Sequence, residues 1–198
     1  MDARSVALIA VFSAIAISLN AIRIPSVFWP GFSYGFYEIP VLVAFIIYGF
    51  KIGYLVEIVH IMGQEIFFPM GVGAVVVYPM GLIFHTFMFS GIYLANKLIN
   101  RKNATGKNVS KKKTTIYFTG LATALRGGLM PIIDYTILYN ILIPFALGVT
   151  LPQSYTLSLI PAFITYNITN TLYAVPIAYL IAKKTTSYLT IKAKYLPN

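Results

Sequence analysis

The chain has 198 residues, of which 58% are apolar and 10% are charged, and its mean hydropathy is +0.78. Soluble globular proteins are about 25% charged, so this composition excludes an ordinary soluble domain and predicts a polytopic membrane protein. The absence of Cys excludes disulfides, a thiolate nucleophile and a Cys-based metal site. The length allows roughly six spans of about 20 residues and leaves no room for an ATPase domain.

The charge of +10 comes from 15 basic and 5 acidic residues. Much of the basic charge lies in residues 97–113 and 183–194, and both clusters border long apolar runs. Lys and Arg placed in this way follow the positive-inside rule, which marks the cytoplasmic side of membrane proteins. A lipid bilayer therefore explains the charge, and no nucleic-acid partner is expected.

The apolar runs predict an all-α, six-span transmembrane bundle that forms a single domain. The first run follows Arg4, and a cleaved signal peptide is the alternative for it. The run 38–68 would be about 46 Å long as one helix, whereas the hydrocarbon core is about 30 Å thick. That helix would also place Lys51 near the bilayer centre at high cost, so we predict a helical hairpin that turns near Gly49. The predicted spans are 5–22, 38–49, 51–66, 74–97, 114–142 and 155–182.

The distribution of basic residues favours six spans over five. With six spans both termini are cytoplasmic, and 13 of the 15 basic residues face the cytoplasm. Arg23 then lies outside and Arg126 lies within the membrane. A five-span arrangement would place Arg4 outside and Lys51 in lipid. Residues 98–113 are accordingly predicted to form a cytoplasmic loop.

Outer segments rich in aromatic residues and glycine are candidates for lids. Segment 24–37 contains the only Trp, and segment 67–73 reads Phe-Phe-Pro-Met-Gly-Val-Gly. Such aromatics are typical of an interfacial belt, and a lid over an outward-facing pocket is the alternative. The candidate lid residues are Phe28, Trp29, Phe32 and Tyr34. A further outer loop is expected over 143–154, after a kink at Pro131.

Ionisable side chains inside a membrane cost several kcal/mol unless they are paired, which makes them candidates for functional sites. Glu57, His60 and Gln64 are three and four residues apart and therefore share one face of the third span. Arg126 and Asp134 are eight residues apart and lie on similar faces of the fifth span. We expect Arg126 to pair with Glu57 or with Asp134.

A pocket for a small, neutral or weakly charged molecule fits these polar residues better than metal or catalytic chemistry. Only Glu57 and His60 are close enough in sequence to suggest metal ligands, so no metal site is expected. His60-Ile-Met-Gly-Gln64 lacks the Glu of H-E-x-x-H, so no catalytic residues, no enzyme and no cofactor are predicted. The residues expected to converge on the ligand are Glu65, Tyr78, Asp134, Tyr135, Asn167 and Asn170.

The first span carries a stripe of small side chains spaced three and four residues apart. The small stripe consists of Ala7, Ala10, Ala14 and Ser18. Such a stripe allows another helix to approach closely. The neighbouring helix could belong to this chain, or it could belong to another membrane subunit.

Five short motifs follow one another along nearly the whole chain. They are Ala10-x-x-x-Ala14, Tyr37-Glu38-Ile39-Pro40, Gly49-Phe-Lys-x-Gly53, Arg126-x-x-x-Met130 and Tyr166-Asn167-Ile168-Thr169-Asn170. In this order they resemble the S components of energy-coupling-factor (ECF) vitamin importers, most closely the riboflavin-specific branch. The chain differs from that branch at three places. The riboflavin branch typically has Ser-Asp where this chain has Tyr37-Glu38, Asn where it has Asp134, and Lys where it has Asn170.

The resemblance implies a six-helix subunit that captures a vitamin from outside, with riboflavin as the first expectation, and then topples in the membrane. It implies docking, through the small stripe, on a transmembrane coupling subunit that carries two cytosolic ATPases. A related vitamin or another small organic nutrient is also compatible with the motifs. A stand-alone proton-coupled transporter that uses Glu57, His60 or Asp134 is the alternative function, and an intramembrane enzyme is the third.

Overall fold

The structure is a computed structural model that describes residues 1–26 and 33–196. The described chain is helical except for one small antiparallel hairpin and its connections, in agreement with the all-α prediction. The hairpin pairs β1 (Arg23–Pro25) with β2 (Ser33–Gly35). The helices are α1 (Ala3–Asn20), α2 (Glu38–Tyr48), α3 (Phe50–Phe67), α4 (Ala74–Ala104), α5 (Lys111–Ile133), α6 (Ile143–Leu147), α7 (Gln153–Ser158) and α8 (Ile160–Leu189). A 3-10 turn at Gly71–Gly73 precedes α4, and a π-helix at Asp134–Leu142 joins α5 to α6.

The predicted break in the second apolar run lies at Gly49. Its φ of 93° belongs to the left-handed half of the backbone map, which favours glycine. The two helices that it separates are antiparallel. Gly53 of α3 lies against Phe45 near the turn, and the Tyr37 ring just before α2 stacks on His60 of α3 at 4.7 Å.

Helix α2 is the centre of the bundle. Every residue from Glu38 to Ile47 is buried, and α1, α3, α4 and α8 all pack against this helix. A helix that is apolar on all sides requires such an enclosure. With 11 residues, α2 is about 16 Å long and is too short to cross a hydrocarbon core of about 30 Å.

Basic residues gather at one end of the bundle, which we call the basic end. This end comprises the start of α1, the α2–α3 turn, the α4–α5 connection and the tail after α8. In the tail, the backbone N–H groups of Lys194 and Tyr195 donate to the carbonyls of Ile47 (2.9 Å) and Ile46 (3.0 Å). The Tyr195 ring stacks on Phe45 at 4.8 Å. The opposite end carries the β-hairpin, and we call it the hairpin end.

Two loop predictions are wrong. The predicted loop 98–113 is largely helical, because α4 continues to Ala104. The last turns of α4 contain Lys, Arg and Asn, whose side chains can be solvated while the helix continues. The prediction ended the span at Lys97 because the apolar run ends there. The predicted outer loop 143–154 contains all of α6 and the start of α7. Pro131 lies inside α5 and is followed by the π-helix at the position of the predicted kink.

The exterior of the bundle is apolar, as expected of a membrane protein. Among the described residues, the stretches long and apolar enough to cross a membrane are Ala3–Asn20, Gly71–Ala104 and Lys111–Leu147. Side chains such as Ile116 and Leu180 are each 60% exposed. Surfaces of this kind are compatible with lipid and unfavourable in water. The count of six spans and the cytoplasmic location of both termini stay predictions.

Close packing of α4 on α5 depends on Gly91. A Cβ atom at this position would lie 2.6 Å from the backbone nitrogen of Ala122. We predict that Gly91→Ala forces the two helices apart and lowers the free energy of unfolding by about 1–3 kcal/mol. Thermal unfolding of the purified protein in detergent measures this loss. Gly120→Ala on α5 is the matched control, because nothing lies within 4 Å of its added Cβ. Equal effects of the two substitutions would contradict the prediction.

Candidate functional site

A cavity of about 280 Å³ lies inside the hairpin end. Its wall is mainly apolar and aromatic with a few polar groups, as in sites for small organic molecules. The lining residues are Asn20, Arg23, Ser33, Gly35, Tyr37, Gln64, Met70, Val76, Val77, Met80, Phe84, Met130, Asp134, Leu138, Phe163, Tyr166 and Asn167. A larger groove of about 540 Å³ at the basic end runs between α5, α8 and the tail. That groove contains the buried side chains of Thr114 and Tyr179 but, among the described residues, no buried carboxyl or amide side chain. The cavity wall contains several of these, so the cavity is the better candidate for a ligand site.

Beneath the cavity is a fully buried ion pair between Arg126 and Glu38. The Arg126 guanidinium donates to the two carboxylate oxygens at 2.8 and 3.2 Å, and its Nε donates to Oδ1 of Asn167 at 3.0 Å. The guanidinium also lies 4.3 Å from the centre of the Phe84 ring. This bidentate geometry, with additional donors and acceptors satisfied, is what a buried ion pair requires.

The prediction that Arg126 pairs with Glu57 or with Asp134 is therefore wrong. Arg126 reaches across to the first residue of α2, 88 positions away in sequence. Asp134 lies eight residues from Arg126 on the same predicted span, and Glu57 lies on the predicted third span. The rotation of α2 about its axis, which directs Glu38 inward, cannot be read from that spacing.

Glu57 lies instead between two imidazoles. Its carboxylate oxygens are 3.3 Å from Nδ1 of His60 and 3.1 Å from Nδ1 of His85. All three side chains are buried, and His85 also contacts the carbonyl of Gly81 at 3.0 Å. Within residues 1–26 and 33–196, no group of three or more His, Asp or Glu is placed to hold a metal ion.

Of the predicted ligand residues, Asp134 and Asn167 meet at the cavity wall. The Asn167 amide is oriented by Arg126 on its oxygen and by the carbonyl of Phe163, at 3.0 Å, on its nitrogen. The same nitrogen lies 3.5 Å from Oδ2 of Asp134. Asp134 is 5% exposed, and this amide is its hydrogen-bond donor among the described side chains.

Glu65 and Tyr78 lie elsewhere, near the end of α3 and in the first turns of α4. The Tyr78 hydroxyl donates to the Glu65 carboxylate, which also accepts from the backbone N–H of Met70 at 3.3 Å. The two residues therefore satisfy each other, and neither lines the cavity. Their predicted contact with a ligand is not seen in this geometry and stays a prediction.

Tyr135 and Asn170 are also placed away from the cavity wall. Tyr135 accepts from the exposed side chain of Gln153 at 3.1 Å. Asn170 is fully buried, and its oxygen accepts from the Tyr173 hydroxyl at 2.8 Å. The structure thus brings together two of the six predicted ligand residues, and ligand contact by Tyr135 and Asn170 likewise stays a prediction.

The β-hairpin covers the cavity and is tied to α8 by tyrosines. Tyr166 donates to the carbonyl of Ser33 at 3.0 Å, and Tyr173 donates to the carbonyl of Gly35 at 2.9 Å. Tyr34, a predicted lid residue, stacks on Tyr166 at 5.3 Å. The other predicted lid residues, Phe28, Trp29 and Phe32, lie outside the described residues.

Several residues of the cavity wall were not predicted. Asn20 is 2% exposed, and its Nδ2 finds no hydrogen-bond partner in the described part of the chain. A signal for it existed, because the buried face of α1 repeats at helical spacing. That face consists of Ile9, Ser13, Ala16 and Asn20.

The small stripe lies on the other side of α1. Ala7, Ala10, Ala14 and Ser18 are all exposed, whereas Ser13 on the buried face donates to the carbonyl of Val56 at 3.1 Å. Packing of the stripe inside this chain, one of the two alternatives, is therefore wrong.

The buried ion pair should make loss of one charge more destabilising than loss of both. We expect Glu38→Leu to lower the free energy of unfolding by about 3–5 kcal/mol, because Arg126 would stay buried without a counter-charge. The double variant Glu38→Leu/Arg126→Met removes both charges and should recover most of this loss. Thermal unfolding of the three proteins in detergent is the measurement. A double variant as unstable as the single one would contradict the pairing.

Comparison with known proteins supports the fold and leaves the family open. Neither the protein-family models nor the curated proteins give a match to this sequence. Among solved structures, the chain is similar to the S component of a bacterial ECF transporter, with a TM-score of 0.63 and 21% sequence identity. The alignment covers 94% of this chain and 97% of that one. At this identity the similarity establishes a shared fold: the chain has the fold of an ECF transporter S component.

Proposed function

We propose that the chain is the substrate-capture subunit of an ATP-driven ECF importer for a vitamin-sized nutrient. The observation that carries this proposal is a cavity enclosed at one end of a bundle that has the S-component fold. The mainly apolar and aromatic lining of the cavity suits binding of a small molecule, and we propose no catalytic step there. The partners that follow are a transmembrane coupling subunit and two cytosolic ATPases.

The orientation follows from the distribution of charge. The basic end is assigned to the cytoplasm, since Lys and Arg accumulate on that side of membrane proteins. The hairpin end, which contains the cavity, then faces outward, where a nutrient has to be captured. Six membrane segments and two cytoplasmic termini are part of this proposal.

The exposed small stripe supports docking on a coupling subunit. Ala7, Ala10 and Ala14 form a flat surface on the outside of α1, so the backbone of another helix can come close. The stripe lies on the face of α1 opposite to the one that packs on α3. Docking there would leave the packing of this chain unchanged.

Riboflavin is the ligand that the motifs indicate, and it needs a test of its own. The cavity of about 280 Å³ is slightly smaller than pockets for drug-sized ligands, which span about 300–1,000 Å³. Asp134 also replaces the Asn of the riboflavin branch. The volume favours a smaller ligand than a flavin, and the carboxyl group favours a ligand with different polar groups. We therefore expect colourless purified protein that does not quench flavin fluorescence, and a yellow protein that quenches it would identify riboflavin instead.

We predict that Ala14→Trp blocks docking by steric overlap while ligand capture persists, because Ala14 is exposed and does not line the cavity. The full complex, reconstituted in liposomes, should lose ATP-dependent uptake, and co-purification of the coupling subunit should drop about tenfold or more. Thermal stability of the isolated chain measures whether the bundle is intact.

Ile15→Trp is the matched control for this experiment. Ile15 is the next residue on α1, is 45% exposed and points about 100° away from Ala14. It should retain both docking and uptake. Normal uptake by the Ala14→Trp complex would contradict the docking role of the small stripe.

A stand-alone proton-coupled transporter is the second candidate, and one observation favours it. Glu57, His60 and His85 form a buried cluster of titratable groups in contact with one another, and the ring stacked on His60 belongs to Tyr37, which lines the cavity. The same liposomes separate the two candidates. Uptake by this chain alone, driven by a pH gradient, would replace the first proposal with the second.

A further inference from the structure

Among the described residues, one buried carboxyl group has no basic partner. The buried carboxyl, guanidinium and imidazole side chains among the described residues are Glu38, Glu57, His60, His85, Arg126 and Asp134. Arg126 is engaged by Glu38 in a bidentate pair. Glu57 is in contact with the imidazoles of His60 and His85. Asp134 makes no ion pair with any described residue, so one carboxyl group is left over.

The Asp134 carboxyl group lines the cavity and has few hydrogen-bond donors around it. The nearest donor is the Asn167 amide at 3.5 Å, which is a long hydrogen bond. Arg23 also lines the cavity, but it is exposed at the mouth, where it donates to the carbonyl of Asn20 at 3.2 Å, and solvent screens its charge. A carboxylate that is 5% exposed in an apolar wall is costly unless a positive charge accompanies it.

The remaining wall suits a cation as well. Tyr37, Phe163 and Tyr166 line the same cavity as Asp134. Aromatic faces attract organic cations, and rings combined with a carboxylate are a recognised way to bind quaternary or ring nitrogens. The Asn20 Nδ2 donor, which has no partner among the described residues, can in addition donate to an acceptor on the ligand.

The volume limits the ligand to a small molecule. A cavity of about 280 Å³ lies near the lower end of the range for ligand pockets, which span about 300–1,000 Å³. One substituted ring, or two small ones, fills this space.

We infer that the ligand is a small organic cation whose positively charged nitrogen lies against Asp134 and whose ring packs among Tyr37, Phe163 and Tyr166. This inference rests on the proposed function, because it names the class of nutrient that the capture subunit takes. It accounts for Asp134, the one buried carboxyl group without a basic partner in the part of the chain that the structure describes.

The test uses two isosteric probes that differ by one charge. 1-Methylpyridinium-3-carboxamide is cationic, 3-methylbenzamide is its neutral counterpart, and both carry a carbonyl acceptor for Asn20. Calorimetric titration of the full chain in detergent should show that the cation binds at least about tenfold more tightly. Asp134→Asn should abolish this preference. Asp2→Asn is the matched control, because Asp2 is an exposed N-cap residue at the basic end, and it should keep the preference.

The outcomes distinguish the inference from the proposed function. Equal binding of the probes, binding of neither, or a preference that persists in Asp134→Asn would overturn the cationic ligand. Should Asp134→Asn not fold, Asp134→Glu keeps the charge and must keep the preference. ATP-dependent uptake by the complete complex is measured separately. If uptake is intact and the preference is absent, only the inference fails, whereas absence of partner-dependent uptake removes the proposed function itself.

Discussion

The ion pair between Arg126 and Glu38 is the interaction on which the rest of the bundle depends. A guanidinium away from water has to be matched by a carboxylate in close contact, so α5 and α2 are held in one relative position. Met88 of α4 and Asn167 of α8 contact the same guanidinium. Glu38 is also the first residue of α2, where the helix dipole favours a negative charge.

Asn167 connects this ion pair to the cavity. Because its oxygen accepts from Arg126, its nitrogen must point the other way, toward the carbonyl of Phe163 and toward Asp134. The amide therefore cannot turn to meet a different ligand group without losing its bond to the guanidinium. The polarity of this part of the cavity wall is therefore set by a charge pair beneath it, and Asp134 is a buried carboxyl group on the same wall.

Residue spacing and charge in the sequence predicted the features that depend on neighbouring residues, but not those that depend on how the helices pack. The turn at Gly49, the basic end and the placement of Asp134 and Asn167 on one wall follow from spacing and charge. The partner of Arg126 did not, because it depends on how α2 is rotated inside the bundle. Nor does the sequence predict the hydrogen bond from the Tyr78 hydroxyl to the carboxylate of Glu65, 13 residues away. The β-hairpin and the π-helix were missed because their short segments carry no apolar periodicity that distinguishes them from loop or α-helix.

The pairing of the tail with α2 has a consequence for the order in which the protein is completed. The carbonyls of Ile46 and Ile47 receive their donors from Tyr195 and Lys194, near the other end of the sequence. During synthesis, the carbonyls of the last turn of α2 therefore lack these donors until residues 194 and 195 have been made. A chain that stops short of residue 194 leaves these two carbonyls of the innermost helix without the partners that the tail provides.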